Sequence, residues 1–487
     1  AVPNIGVKGS ESYRLVRRGA TKLLDDLLRS AEAAPRIDRR LVDDMIAEID
    51  RRMSAQIDEI LHHPKVQRLE SAWRGVKYLV DQIDFAQNVR LELVSVTKEE
   101  LRIDFEDAPD VTRSGLYDLV YRRAFGTLGG TPYGAVCTTY EFSHDGEDVA
   151  LLKQMAAVGA MAHTPVLVNA APRLLRVESF TDLGKVKDVS ALFEGPLHAR
   201  WSALRDSEDA RFLGVCLPRF MLRPPYGEPV HVPEDSAEYV PGARRGEIEP
   251  VTAFAYAENV IDRHERYLWA PASLAMAARI ADSFARYRWC PNIVGPQGGG
   301  AIHDLPLHVY EQAGALKTKC PTEFSLDDQW ERELAEQGLI GLVFRKHSAD
   351  ATFLSAHSLH RPQVFPRTPE GQAAQRSATV GAQLPYAFVI SRIAHYMKVL
   401  QREQIGSWQT RADLERGLNE WLRGYVSDMP DPPAETRARK PLRRGKITVE
   451  EVPGQMQWFR CGLTVEPHFK LEGLEVSLSV IGKLDRA

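Results

Sequence analysis

The N-terminal part of the chain carries two stretches in which apolar side chains recur at the spacing of one helix face. The first stretch ends at Pro35 and the second at Pro64. Such a stripe needs a covering surface. The pattern leaves open whether the two helices dock on the chain's own core or form an arm that binds a partner. The stripe residues are Val16, Ala20, Leu23, Leu24, Leu27 and Leu28, then Val42, Met45, Ile46, Ile49, Met53, Ile57 and Ile60.

Short apolar runs alternate with amphipathic stretches between residues 66 and 344, which is typical of an α/β domain. Thr97 and Glu100 form a Thr-x-x-Glu pattern that predicts the start of a capped helix. The segment Arg223–Pro250 is rich in Pro, Gly and charge and predicts a long surface loop. The predicted strands are Val89–Val96, Pro165–Asn169, Phe212–Leu217 and Gly338–Phe344, and the predicted helices are Glu147–Met161 and Pro271–Tyr287.

The C-terminal part begins with two predicted helices, Pro385–Gln404 and Thr410–Val426. A linker follows at Asp428–Lys446, and its second half is basic. The helix Thr410–Val426 and the basic linker could face other components of an assembly. The alternative is that the basic residues are only solvated, as charge runs often are. Two strands close the chain, Met456–Val465 and Leu474–Ile481, and a further strand is predicted at Ile447–Val452.

The two closing strands alternate apolar and polar residues. An isolated two-stranded hairpin is only marginally stable in water, so these two strands must pair with at least one further strand. We expect them to complete a sheet with strands from neighbouring protomers; the alternative is a sheet closed within this chain. The residues expected to carry the contact between subunits are Phe459, Leu463, Val465, Leu474, Val476, Leu478 and Val480.

Composition narrows the functional classes. The chain has 487 residues, enough for about three domains. Lys and Arg number 62 against 66 Asp and Glu, a net charge of −4, so no overall charge favours binding to nucleic acid or to a membrane surface. No apolar run reaches the ~20 residues that cross a bilayer. The five cysteines are too sparse for a disulfide framework, which favours reduced thiols in a cytoplasmic protein.

Catalytic and cofactor motifs are absent from the sequence. The glycine clusters match no phosphate-binding pattern, no spacing predicts a metal site, and no cofactor is expected. An enzyme is therefore not expected. The alternative function is a cytoplasmic hydrolase with Cys290 or Cys320 as nucleophile and His163 or His303 as base. Buried free cysteines more often act as small apolar residues.

Thirteen sequence blocks then occur in a fixed order along nearly the whole chain. They are His63-Pro64, Trp73-Arg74-Gly75, Tyr78-Leu79-Val80, Asp104–Pro109, Phe125-Gly126, Pro132-Tyr133-Gly134, Tyr140–His144, Leu217–Phe220, Arg223–Gly227, Lys319–Glu323, Ser391–Val399, Arg460-Cys461 and Pro467–Phe469. From about Gly19 to Leu484 the sequence resembles the large subunit of the type VI secretion contractile sheath.

The resemblance implies a mixed α/β, contractile tail-sheath-like fold with an N-terminal helical arm and C-terminal strands exchanged between protomers. It implies a structural protein of the bacterial cytoplasm. The implied partners are a small sheath subunit, neighbouring protomers in a six-fold helical polymer, a hexameric inner tube protein, a baseplate and an AAA+ ATPase that disassembles the contracted sheath. Contraction would eject the tube.

The resemblance also implies a helix that the ATPase recognises. It spans Leu23, Leu24, Asp25, Asp26, Leu27 and Leu28, and Asp26 departs from the common Leu-Leu-Asp-Glu form. The expected organisation is an arm at residues 1–62, an α/β sheath core at 63–380, a helical segment at 381–430, and a basic linker with terminal strands at 431–487.

Overall fold

The protein is represented by a computed structural model that describes residues 39–227, 256–260, 263–312, 315–346, 348–403, 410–429, 431–451, 459–468 and 478–482. Its α-helices of five or more residues are α1 (Arg39–Leu61), α2 (Pro64–Gln82), α3 (Lys98–Asp107), α4 (Gly146–Ala162), α5 (Val189–Phe193), α6 (Ala199–Arg205), α7 (Ala272–Tyr287), α8 (Asp328–Glu336), α9 (Pro369–Gly381), α10 (Leu384–Glu403), α11 (Arg411–Arg423) and α12 (Ala434–Arg439).

The strands are β1 (Val136–Phe142), β2 (Val166–Ala170), β3 (Leu213–Leu217), β4 (Phe220–Met221), β5 (Trp269–Ala270), β6 (Ala301–Ile302), β7 (His308–Gln312), β8 (Ala315–Lys319), β9 (Leu339–Phe344), β10 (Ala351–Phe353), β11 (Leu442–Glu451), β12 (Phe459–Pro467) and β13 (Leu478–Gly482). The predicted α/β fold class is confirmed.

The chain divides into two compact units. The first comprises Ala1–His63, Tyr226–Glu228 and Val240–Asn259, and the second holds the rest. In the first unit, α1 confirms the predicted second helix. Near its end, Tyr256 Oη donates to Asp58 Oδ1 at 2.7 Å, and His62 Nε2 donates to Glu258 Oε1 at 3.1 Å. The apolar stripe of α1 is only partly covered, since Met53 is 44% exposed and Ile60 54%.

The second unit is built on a six-stranded sheet in the order β1-β2-β3-β9-β10-β6. β1, β2, β3 and β9 are parallel, whereas β10 and β6 are antiparallel additions. Side chains alternate between the two faces: Val166 and Val168 pack in the cluster that holds α4, while Leu167 packs with α7. Helices thus cover both faces, which explains why β3 is a continuous apolar run and why β2 carries Asn169 as its one polar residue.

The C-terminal region has a core of its own within this unit. The three-stranded sheet β11-β12-β13 is packed through its first two strands against α10 and α11. Leu414, Leu418 and Leu422 of α11 are buried in that cluster. The predicted helices and strands of this region are therefore confirmed, with β11 beginning earlier than predicted.

Two sequence expectations are wrong. Residues 89–96 form no strand: none of their side chains is fully buried, and Leu93 is 61% exposed and Val94 60%. The main-chain carbonyl of Val96 is instead bonded by Tyr140 Oη of β1. The basic segment 428–446 is also not a simple linker, because its second half forms α12 and the start of β11.

Candidate functional site

The terminal sheet contains the strands that the sequence predicted as contacts between subunits. β11 pairs with β12 antiparallel from Leu442↔Pro467 to Glu451↔Phe459. β12 pairs in turn with β13, from Cys461↔Gly482 to Val465↔Leu478. In this single chain the strands pair with one another. Exchange between protomers stays a prediction.

The predicted contact residues occupy different positions in this sheet. Leu463 and Val465 of β12 are buried against the helices, and Phe459 is half-buried at the start of the strand. Leu478 and Val480 lie in β13, opposite Val465 and Leu463 in register. Leu474 and Val476 lie outside the described residues. The apolar face of β11 and β12 is thus already covered by α10 and α11.

The other face of β11 and β12 is polar. Glu450 lies opposite Arg460, and Arg444 lies opposite Glu466, with Arg444 Nε 3.9 Å from Glu466 Oε2. Cross-strand pairs of opposite charge suit a solvated face. An apolar partner would leave these charges buried and poorly solvated, so the face favours no such partner. The edges of the sheet are the places where another chain could bind by main-chain hydrogen bonds.

The outer edge of β11 is occupied by the chain itself. Asn419 Nδ2 donates to the Ile447 carbonyl at 2.7 Å, and the Ile447 N–H donates to Asn419 Oδ1 at 2.9 Å. The Val449 N–H donates to Glu415 Oε2 at 3.3 Å. At the start of the strand, Leu442 bonds the main chain of residues 425 and 427. Sequence reasoning missed Asn419 and Glu415.

Helix α11 begins in a way that fixes this arrangement. The Thr410 hydroxyl accepts from the Asp413 N–H, and the Asp413 carboxylate accepts from the Thr410 N–H, which is a capping box. The hydrogen bonds from Thr410 lower the pKa of Asp413. The box sets where the helix starts. Glu415 and Asn419 then lie one turn apart on the flank that meets β11.

The basic segment has several partners of its own. Arg439 lies 3.3 Å from Glu435, and Arg443 lies 3.6 Å from Glu466. Arg437 is 3.9 Å from Asp431. These pairs neutralise part of the positive charge of the segment. Its surface is therefore less basic than its sequence alone suggests.

Three of the sequence blocks meet in one buried polar network in the second unit. Arg219, from the block after β3, has its Nε 2.6 Å from Glu323 Oε2 and 3.5 Å from Glu141 Oε1. Glu323 also accepts from His264 Nε2 at 3.2 Å, and Lys319 Nζ donates to His264 Nδ1 at 2.9 Å. The network joins the ends of β1 and β3 to the segment after β8.

Burial and pairing set the protonation of this network. Burial raises the pKa of Glu141, against the lowering effect of Arg219. Burial lowers the pKa of Lys319. The network lies at the carboxyl ends of parallel strands, where α/β enzymes place their sites. Here, however, Arg219 and Glu323 bond each other, which is the arrangement of a structural tie.

The four residues of the alternative hydrolase lie in separate environments. Cys290 packs in the α7 core, and burial raises its pKa to about 12. Cys320 Sγ lies 3.2 Å from Thr322 Oγ1, and burial raises its pKa also. His163 packs near Phe125 and Phe212, whereas His303 bonds Asp350 at 3.0 Å. These contacts pair no cysteine with a base, and the raised pKa values disfavour a thiolate.

The described part of the chain contains neither a candidate metal site nor a helix that could span a membrane. Within it, no three His, Cys, Asp or Glu side chains are grouped so that they could hold a metal ion. None of its helices has the length and apolarity needed to span a bilayer. The helix predicted to bind an ATPase, Leu23–Leu28, lies outside the described residues.

Comparison with known proteins gives two family matches that cover most of the chain. Residues 43–360 match the family model described as EvpB/VC_A0108, tail sheath N-terminal domain. Residues 373–484 match the one described as EvpB/VC_A0108, tail sheath gpW/gp25-like domain. The second match contains α10, α11 and the terminal sheet.

One relative and one solved structure complete the comparison. The type VI secretion system sheath protein TssC1 of Pseudomonas aeruginosa PAO1 is 34% identical over 451 residues, covering 92% of this chain and 86% of that protein. A chain in the cryo-EM structure of the anti-feeding prophage baseplate aligns with a TM-score of 0.33 and 8% identity, over 70% of this chain and 63% of that one.

Proposed function

The chain belongs to the EvpB/VC_A0108 tail sheath family as a large sheath subunit of a type VI secretion system, and from this we propose that it forms a contractile polymer. It pairs with a small sheath subunit, and the heterodimers stack as six-fold rings around a hexameric inner tube on a baseplate. The polymer assembles extended in the bacterial cytoplasm and contracts to drive the tube out.

The observation that supports this proposal is the pairing of β12 with β13. β13 is a short strand near the end of the chain, and it contributes the last strand of the terminal sheet. An identical strand from a second protomer can take the same register, because every main-chain bond it needs is offered by β12. Such links keep protomers connected while they slide between two packed states.

A deletion tests the exchange of strands. Removal of residues 474–487 is expected to abolish sheath tubes in negative-stain images after co-expression with the small subunit. The heterodimer should still co-purify, since β11 and β12 keep their packing on α10 and α11. The matched control removes residues 483–487 only and leaves β13 in place; it should form tubes. Tubes from the longer deletion would contradict the proposal.

We propose further that the helix Leu23–Leu28 binds the disassembly ATPase. An amphipathic helix can lay its apolar face into a groove. Replacing Leu24 and Leu27 by Ala should weaken binding of the ATPase in a pull-down while tubes still form. The control replaces Lys22 and Arg29 by Ala, since helical spacing predicts that these residues lie on the face opposite to Leu24 and Leu27. Equal binding by both variants would refute the assignment.

A further inference from the structure

We infer that Asn419 and Glu415 close the β11 edge of the terminal sheet, so that a strand from a second copy of this chain joins on the β13 side of the sheet and not at β11. The inference rests on the proposed exchange of strands and makes it directional. It assigns to two side chains of α11 the choice between the two edges that a sheet normally offers.

The hydrogen bonds of β11 support the inference directly. In an antiparallel strand, the main-chain groups of successive residues point to opposite edges, so residues two positions apart point to the same edge. Ile447 and Val449 are two positions apart, and both bond α11 instead of β12. The two groups of Ile447 and the N–H of Val449 are therefore groups that an incoming strand would need. They are already satisfied from within the chain.

The Asn419 side chain suits this task because a carboxamide presents a donor and an acceptor as a peptide group does. It satisfies both groups of Ile447 at once, at 2.7 and 2.9 Å. Its Nδ2 also donates to the Glu415 main-chain carbonyl at 2.8 Å, which holds the amide in this orientation. Leu418, buried in the same cluster, fixes the helix beside the strand.

The start of the β11 edge is covered as well. The Leu442 N–H donates to the Tyr425 carbonyl, and the Ser427 N–H donates to the Leu442 carbonyl. Main-chain groups on this edge are therefore satisfied from within the chain at Leu442, Ile447 and Val449. On its other side, β12 pairs with a separate short strand over Cys461–Val465. A second copy of that strand competes for the β12 positions, whereas at β11 it would have to displace side chains of α11.

Photocrosslinking in the assembled sheath tests the direction of exchange. Ser479 of β13 lies opposite Thr464 of β12. The full chain carrying benzoylphenylalanine at position 479 is co-expressed with the small subunit together with a differently tagged copy. In the wild-type background, crosslinks between copies are expected at residues 461–465 and none at 447–451. Crosslinks to 447–451 in that background would overturn the inference.

Two variants and two controls make the test specific. Asn419→Ala and Glu415→Ala should add crosslinks at residues 447–451, whereas Glu415→Gln, which keeps an acceptor for Val449, should behave as wild type. Arg416→Ala and Glu420→Ala on the exposed face of α11 should change nothing. If opening the edge in the Ala variants adds no crosslinks there, the side chains do not select the edge.

Hydrogen exchange separates failure of this inference from failure of the proposed function. In the full-length chain, the Ile447 amide should exchange about tenfold faster in Asn419→Ala than in wild type, because it loses its acceptor. Equal exchange rates of the Ile447 amide in the variant and in wild type would overturn the closure, whether or not the sheath assembles. If exchange differs as expected but all crosslinks from position 479 are within one copy, the closure stands and the proposed exchange of strands fails.

Discussion

The guanidinium of Arg219 is held against the carboxylate of Glu323, with 2.6 Å between Nε and Oε2 and with only 2% of the Glu323 side chain exposed. This pair joins the end of β3 to the segment after β8. Both residues come from sequence blocks that carry the family resemblance. In these two blocks, therefore, the residues that resemble the family form a buried ion pair between segments distant in sequence.

Arg219→Met should destabilise the fold strongly. It leaves the Glu323 carboxylate buried without its cationic partner, which costs about 3 kcal/mol of unfolding free energy. Urea denaturation followed by circular dichroism measures the change. The control is Arg286→Ala, which breaks a pair with Asp282 in which the arginine is 64% exposed. That variant should lose less than about 0.5 kcal/mol; similar losses in both would contradict the buried tie.

Stability should fall as the pH drops below about 6.5, partly through His395. Burial lowers its pKa from 6.5 to about 3. Between these values the unfolded chain binds a proton that the folded chain does not, so folding weakens as the pH falls. From pH 7 to pH 5 this one residue contributes a loss of about 2 kcal/mol.

A substitution isolates that contribution. His395 Nε2 donates to the Ala162 carbonyl at 2.9 Å, and glutamine can keep a donor there. His395→Gln should be less stable at pH 7, because the ring packing against Phe125 is lost, but its stability should depend less on pH. Urea midpoints at pH 7 and pH 5 give the slope. His303→Gln, at an exposed site, is the control; an unchanged slope in His395→Gln would refute the assignment.

Cys290 should resist alkylation in the folded protein. Burial raises its pKa to about 12, so at pH 8 its thiolate is about a thousandfold scarcer than that of a free cysteine. Mass spectrometry after iodoacetamide treatment should find it labelled only once the chain is denatured. Ser95→Cys supplies an exposed thiol as the positive control. Cys290→Ala should still form tubes, and rapid native labelling would favour the hydrolase alternative.

The two capping boxes offer a matched comparison. Thr97→Ala and Thr410→Ala each remove an N-cap and should each cost about 1 kcal/mol. Only Thr410 starts the helix that carries Asn419. Thr410→Ala should therefore speed hydrogen exchange at Ile447, whereas Thr97→Ala should not. Equal exchange at Ile447 in both variants would show that the start of α11 does not hold the closure in place.

Much of the fold follows from the sequence because local patterns there agree with the final packing. β3 and β9 are continuous apolar runs and β2 is interrupted only by Asn169, as expected of strands covered on both faces. The segments that form α4 and α7 are rich in residues that favour helices, and neither shows a pattern that would favour a strand. The capping box at Thr97 predicts the start of α3 to the residue.

The missed features depend on contacts that are distant in sequence. β1 reads as a mixed run, since it lies at the sheet edge and most of its residues are only half-buried. Residues 89–96 are rich in residues that favour strands, but they pair with no other strand. Asn419 bonds a strand 28 residues away, and no local pattern marks which polar residue of a helix meets a sheet edge. Ordinary surface positions share its residue type and spacing.

Helix α10 belongs to two cores at once. Leu384 and Phe388 pack with the six-stranded sheet, whereas Ile393 and Met397 pack with the terminal sheet. Its 20 residues form a rod about 30 Å long. If the terminal strands bind a neighbouring protomer as we propose, this helix would transmit force from them into the six-stranded sheet.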